Sequence, residues 1–153
     1  MAELVYDKDG RLLFTKEMKK EYTLLMPQML PVHFGMFQKL LQLEGYKVDM
    51  LTTHHHAIVE EGQKYVHNDT CYPALLVIGQ LIEAVKNGGY DPHKVALLIT
   101  QTGGGCRASN YIHLLRKALH KAGYDYIPVI SVSFGVEKNP GFGLSLSLIR
   151  KLA

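Results

Sequence analysis

The chain has 153 residues, 47% of them hydrophobic and 20% charged, which is the makeup of one ordinary globular domain and argues against disorder, collagen-like repeats and long coiled coils. The formal net charge is only +3, and outside residues 16–20 the basic residues alternate with acids, so no nucleic-acid surface is indicated. Two cysteines are too few for a disulfide scaffold, and no run approaches the roughly 18 apolar residues of a membrane helix; a reduced, cytoplasmic protein with no membrane partner is expected.

In chain order, residues 4–14 read as two short apolar runs, LVY and RLLF, around the turn signal DKDG, which predicts a small hairpin. The charged stretch 16–21 then serves as a linker or the first turns of a helix. Residues 1–21 are thus set apart from a single α/β domain over 22–153. Short continuous apolar runs predict strands over 23–26, 48–52, 95–100 and 127–132. Stretches of helical period predict helices over 35–43, 73–86 and 108–122, followed by Gly45, Gly88-Gly89 and Gly123 as C-terminal caps. In the last helix Tyr111, Ile112, Leu115, Ala118, Leu119 and Ala122 form one apolar stripe, with Arg116, Lys117, His120 and Lys121 mostly opposite. Residues 144–152 read as a short closing helix.

This alternation predicts a three-layer open sheet of about four parallel strands with helices on both faces, the Rossmann-like or flavodoxin-like arrangement. Such sheets bind ligands beyond the carboxyl ends of their strands. After the 95–100 strand comes QTGGGCRASNY, in which Gly103, Gly104 and Gly105 leave the strand and Cys106 and Arg107 open a helix. Glycines let a backbone approach a bulky ligand, a helix N-terminus offers partial positive charge to an anion, and a cysteine there is biased toward thiolate. The loop is neither a Walker A motif nor a GxGxxG fingerprint, and it also reads as a plain strand-to-helix turn.

The second cysteine lies in YVHNDTCYPA, again just before a helix, with Asp69 or Thr70 as candidate N-cap and Pro73 in the first turn. Regular crossovers would bring both cysteine loops to one edge of the sheet. Two thiolates facing converging amides suit an anionic iron–sulfur cluster, although a cubane cluster commonly takes four protein thiolates. A zinc site completed by His54, His55, His56 or His67 is an alternative whose spacing fits no standard motif. Three consecutive histidines cannot all point one way, and His54 to His56 read first as a solvated loop. Residues 26–31 and 33–36 read first as a buried turn leading into a helix.

HNDTCYPALLVIGQ and QTGGGCRASNY resemble the central region of the large activators of the 2-hydroxyacyl-CoA dehydratase system, the CoA-substrate-specific enzyme activases, and residues 22–51 are similar to the start of the same module. The resemblance runs from about Tyr22 to about Val132. It implies that Cys71 and Cys106 ligate an iron–sulfur cluster, of [4Fe–4S] type, in a protein passing electrons at low potential. Gly103 to Gly105 would then give the cluster close backbone approach, and Arg107 would offset its negative charge. The actin-like ATPase domains and the dehydratase-like portion of the large relatives are not in these 153 residues, so the chain is expected to be a module whose partners are the remaining domains or subunits, with an acyl-CoA as substrate of the whole. The alternatives from other classes are a non-catalytic docking domain and an anion- or acyl-CoA-binding module.

Overall fold

The computed structural model describes residues 3–67, 69–101, 107–132 and 140–143, without the side chain of Arg107. Strands β1 (Val5–Tyr6) and β2 (Leu12–Leu13) pair antiparallel around a turn in which Gly10 takes φ +73°, a conformation glycine adopts without penalty. This is the hairpin expected from the apolar runs. A single helical turn, α1 (Met18–Glu21), follows. Phe14, just before the charged stretch, and Met18, within it, are wholly buried in the core on one face of the main sheet.

The main sheet contains β3 (Thr23–Pro27), β4 (Lys47–Leu51), β5 (Val95–Thr100) and β6 (Val129–Val132), all parallel in the order β4-β3-β5-β6. Helix α2 (Pro31–Leu43) connects β3 to β4, α3 (Ala57–Tyr65) and α4 (Tyr72–Asn87) connect β4 to β5, and α5 (Tyr111–Ala122) connects β5 to β6. The predicted α/β class and parallel sheet are present.

Both sheet faces are covered. Leu25, Leu97 and Ile99 point into a core shared with α4 and α5, while Leu24, Met26, Ala96 and Leu98 point into the opposite core with Leu41 of α2. Alternate side chains of a strand face opposite ways, so a strand buried on both sides must be apolar along its buried length, as Val95 to Ile99 are before the half-buried Thr100. The first crossover carries α2 over one face and the second carries α4 over the other. The topological switch therefore lies between β3 and β5.

One helix boundary and one whole helix differ from the sequence expectation. Helix α2 begins at Pro31, not at residue 35, because proline suits a first helical turn and lacks the amide that would go unpaired there. Of the turn before it, Met26 and Pro27 are buried at the end of β3 but Met29 and Leu30 are exposed, as are Val32 and Met36 in the helix itself. Helix α3 was not anticipated. Its mixture of apolar and charged residues gives only nine residues of period, and what holds it is α4. A methyl added at Gly79 would land on the Ile58 carbonyl, and one at Gly62 on the Leu75 carbonyl, so the two backbones meet at their glycines. Glu61 then reaches Lys64 Nζ at 2.7 Å and Lys86 Nζ at 2.8 Å. Burial pushes its carboxyl up, but the two ammonium hydrogen bonds outweigh this and hold it below the usual range.

The C-terminal caps fall where expected, with Gly123 left-handed at φ +81° after α5. The 144–152 segment lies outside the described residues. No helix among the described residues is long and apolar enough to cross a membrane.

Candidate functional site

Helix α4 is buried almost all round, from Ala74 to Val85, because it is packed by the sheet, α3 and α5. Its N-cap is Cys71 itself, with φ −59° and ψ 142°, rather than Asp69 or Thr70. Cys71 takes that place because its carbonyl accepts the first helical bonds, from the amides of Ala74 at 3.0 Å and Leu75 at 3.3 Å. Asp69 instead turns outward, its amide donating to His67 Nδ1 at 3.2 Å.

The half-buried Cys71 thiol lies 3.1 Å from the hydroxyl of Tyr111, the first residue of α5. The N-termini of α4 and α5 thus converge. Once Cys71 is a thiolate it can only accept, so the Tyr111 hydroxyl is the donor and steadies negative charge on sulfur. The positive ends of two helix dipoles favour an anionic group at the same place.

On the other side of α5's first turn, Gln101 leaves β5 in a fixed pose. Its Nε2 donates to the Ser109 carbonyl at 3.1 Å, its Oε1 accepts from Ser131 Oγ at 3.0 Å, and its amide donates to the Val132 carbonyl at 3.1 Å. These bonds tie the two ends of the glycine-rich segment to β6. Gly103, Gly104, Gly105 and Cys106 lie outside the described residues, as does the Arg107 side chain, while the Arg107 backbone opens a 3-10 turn, Arg107–Asn110, ahead of α5. The predicted helix over 108–122 is this turn followed by α5.

Beside Cys71, Tyr72 is exposed and lines a cleft of about 420 Å³ at the carboxyl ends of β3 and β4, with Gln28, Thr53, His54, Leu76 and Gln80. His54, His55 and His56 are all exposed and border this cleft, yet they diverge. His56 Nδ1 meets Glu60 Oε1 at 3.2 Å, and His55 Nε2 lies 3.9 Å from Glu83. Among the described residues no three His, Cys, Asp or Glu side chains converge on a metal-sized point.

Sequence reading missed two polar residues here. Tyr111 was counted only in an apolar stripe, though a phenol in the first turn after a glycine-rich loop signals a polar contact. Gln80, 5% exposed in the middle of the apolar run of α4, accepts from the Gln28 amide at 3.2 Å and donates to the carbonyls of Leu51 at 3.1 Å and Thr53 at 3.0 Å. Its side-chain amide joins the ends of β3 and β4 to α4 and so sets the floor of the cleft. No family model matches the chain, and neither a curated protein nor a solved structure does.

Proposed function

We propose that the chain is an iron–sulfur module of a 2-hydroxyacyl-CoA dehydratase or activase-type redox protein, in which Cys71 and Cys106 supply cluster thiolates. The observation that supports this reading is Cys71 at the N-cap of α4, within 3.1 Å of Tyr111 at the start of α5, so that its sulfur faces the residues into which the glycine-rich Cys106 segment runs. Sulfur is the right donor for such a group, and the helix ends and the Tyr111 hydroxyl suit its negative charge. A bound cluster would accept and release one electron at low potential. Two thiolates fall short of the usual four, so the remaining ligands are assigned to further sequence or a partner subunit. This chain's own part is to hold the sulfur of Cys71 and to donate a hydrogen bond to it from Tyr111.

The test is iron and acid-labile sulfide content after anaerobic reconstitution, in the parent and in the Cys71→Ala, Cys106→Ala double variant. Cluster-level iron in the parent and none in the variant is expected. Equal iron in both, measured also with the partner subunits present, would refute the assignment. A second reading, a docking domain without a cluster, is favoured by the exposed Met29, Leu30, Val32 and Met36 at the start of α2. It predicts a colourless protein whose affinity for its partner is indifferent to iron.

A further inference from the structure

The two acidic residues in the α3 and α4 layer are treated differently by the fold. Glu61 has two lysine partners, whereas Glu83 has none, although its side chain is only 9% exposed. No hydrogen bond to its carboxylate is made by any described residue, and the nearest basic nitrogen, His55 Nε2, is 3.9 Å away on an exposed ring. A carboxylate largely withdrawn from water, with no hydrogen bond from the protein, gains from an added cationic donor. The small accessible part of Glu83 opens onto a second cleft, of about 420 Å³, between β4 and the C-terminal half of α4. Asp49, Asn87 and the rim residue Tyr90 also face it. Asp49 Oδ2 accepts from the Tyr90 hydroxyl, which pins the carboxylate in place.

We propose that this cleft binds an organic cation bearing a guanidinium or primary ammonium group, with Glu83 and Asp49 as its anionic partners. A bare metal ion suits it less well, because no three ligating side chains converge among the described residues and the space is far larger than an ion needs. A planar guanidinium with several N–H donors, or an ammonium on an alkyl stem, can instead reach two separated carboxylates and the Asn87 amide while its carbons lie on Met50 and Ala84. The same chemistry comes either from a free amine or from an arginine or lysine side chain offered by a protein. Glu83 is twelve residues from Cys71, about 18 Å along the helix at 1.5 Å per residue, so this site is independent of the cysteine site.

The test is isothermal titration of the full chain with agmatine, with N-acetyl-arginine methylamide and with magnesium chloride, repeated on Glu83→Gln and Asp49→Asn. Saturable binding of a guanidinium compound is expected, weakened at least about tenfold in each variant, as loss of a charge-assisted hydrogen bond requires. A preference for agmatine identifies a free amine, and a preference for the blocked arginine identifies a protein side chain. Unchanged affinity in Glu83→Gln, binding of magnesium in place of the guanidinium compounds, or no binding of any probe would overturn the proposal. Thermal unfolding of Glu83→Gln guards against misfolding, and its melting temperature is expected to be no lower than the parent's, since no ammonium partner is lost.

Discussion

Replacing Gln80 by methionine isolates what its amide contributes, because the two side chains have similar length and volume. Three hydrogen bonds disappear, those to the Gln28 amide and to the Leu51 and Thr53 carbonyls, while the apolar contacts of the stem persist. At about 1 kcal/mol net per bond the loss is about 3 kcal/mol. Water cannot fully compensate, since Gln80 itself is buried and one of the three bonds, that to Leu51, is wholly internal. For a domain of this size the melting temperature should fall by roughly 6–12 °C. Gln80→Glu should be worse, because an ionised carboxylate can accept from Gln28 but sets negative charge against two carbonyl oxygens. The assay is urea unfolding, with the exposed Gln63→Met as control. A Gln80→Met variant within about 0.5 kcal/mol of the parent, the range of an ordinary surface change, would refute the argument.

Gly79→Ala should destabilise by about 2 kcal/mol or more despite alanine's higher helix propensity, because the new methyl lands on the Ile58 carbonyl and separates α3 from α4; denaturant titration measures it. Tyr90 should titrate at about 12, since burial and then the Asp49 carboxylate both disfavour its phenolate. The folded value lies above the ordinary one of 10.0, so the folded state keeps a proton that the unfolded chain releases. Stability from this group is complete below pH 10 and is lost as pH rises from there through about 12. Phenolate absorbance against pH reads the shift, which should shrink in Asp49→Asn; an unchanged titration in that variant would remove Asp49 as a cause.

Much of the architecture is a local matter and was therefore legible. Strands buried on both faces must be apolar without interruption, so β3 and β5 stand out in the chain, and Gly45, Gly89 and Gly123 mark helix ends because each takes a positive φ there. The convergence of the Cys71 loop on the start of α5 also followed, since alternating strands and helices in a parallel sheet leave few topologies. Helix α3 was invisible because its stability resides in a contact between Gly62 and Gly79, and glycine within a helix weakens the local signal that would have announced it. Polar residues were the hardest to place. Nothing local separates Glu61 from Glu83, since each has a lysine three residues on and only the distant Lys86 distinguishes Glu61, nor Gln80, whose partners come from the ends of β3 and β4, from an exposed glutamine. Composition and period thus determined the layers, the sheet and the position of Cys71 at a helix start. Only tertiary packing decided that Tyr111 would meet its sulfur, that Gln80 would join two strand ends, and that Glu83 would be buried with no lysine partner, because hydrogen bonds and ion pairs act over a few ångströms of space rather than along the chain.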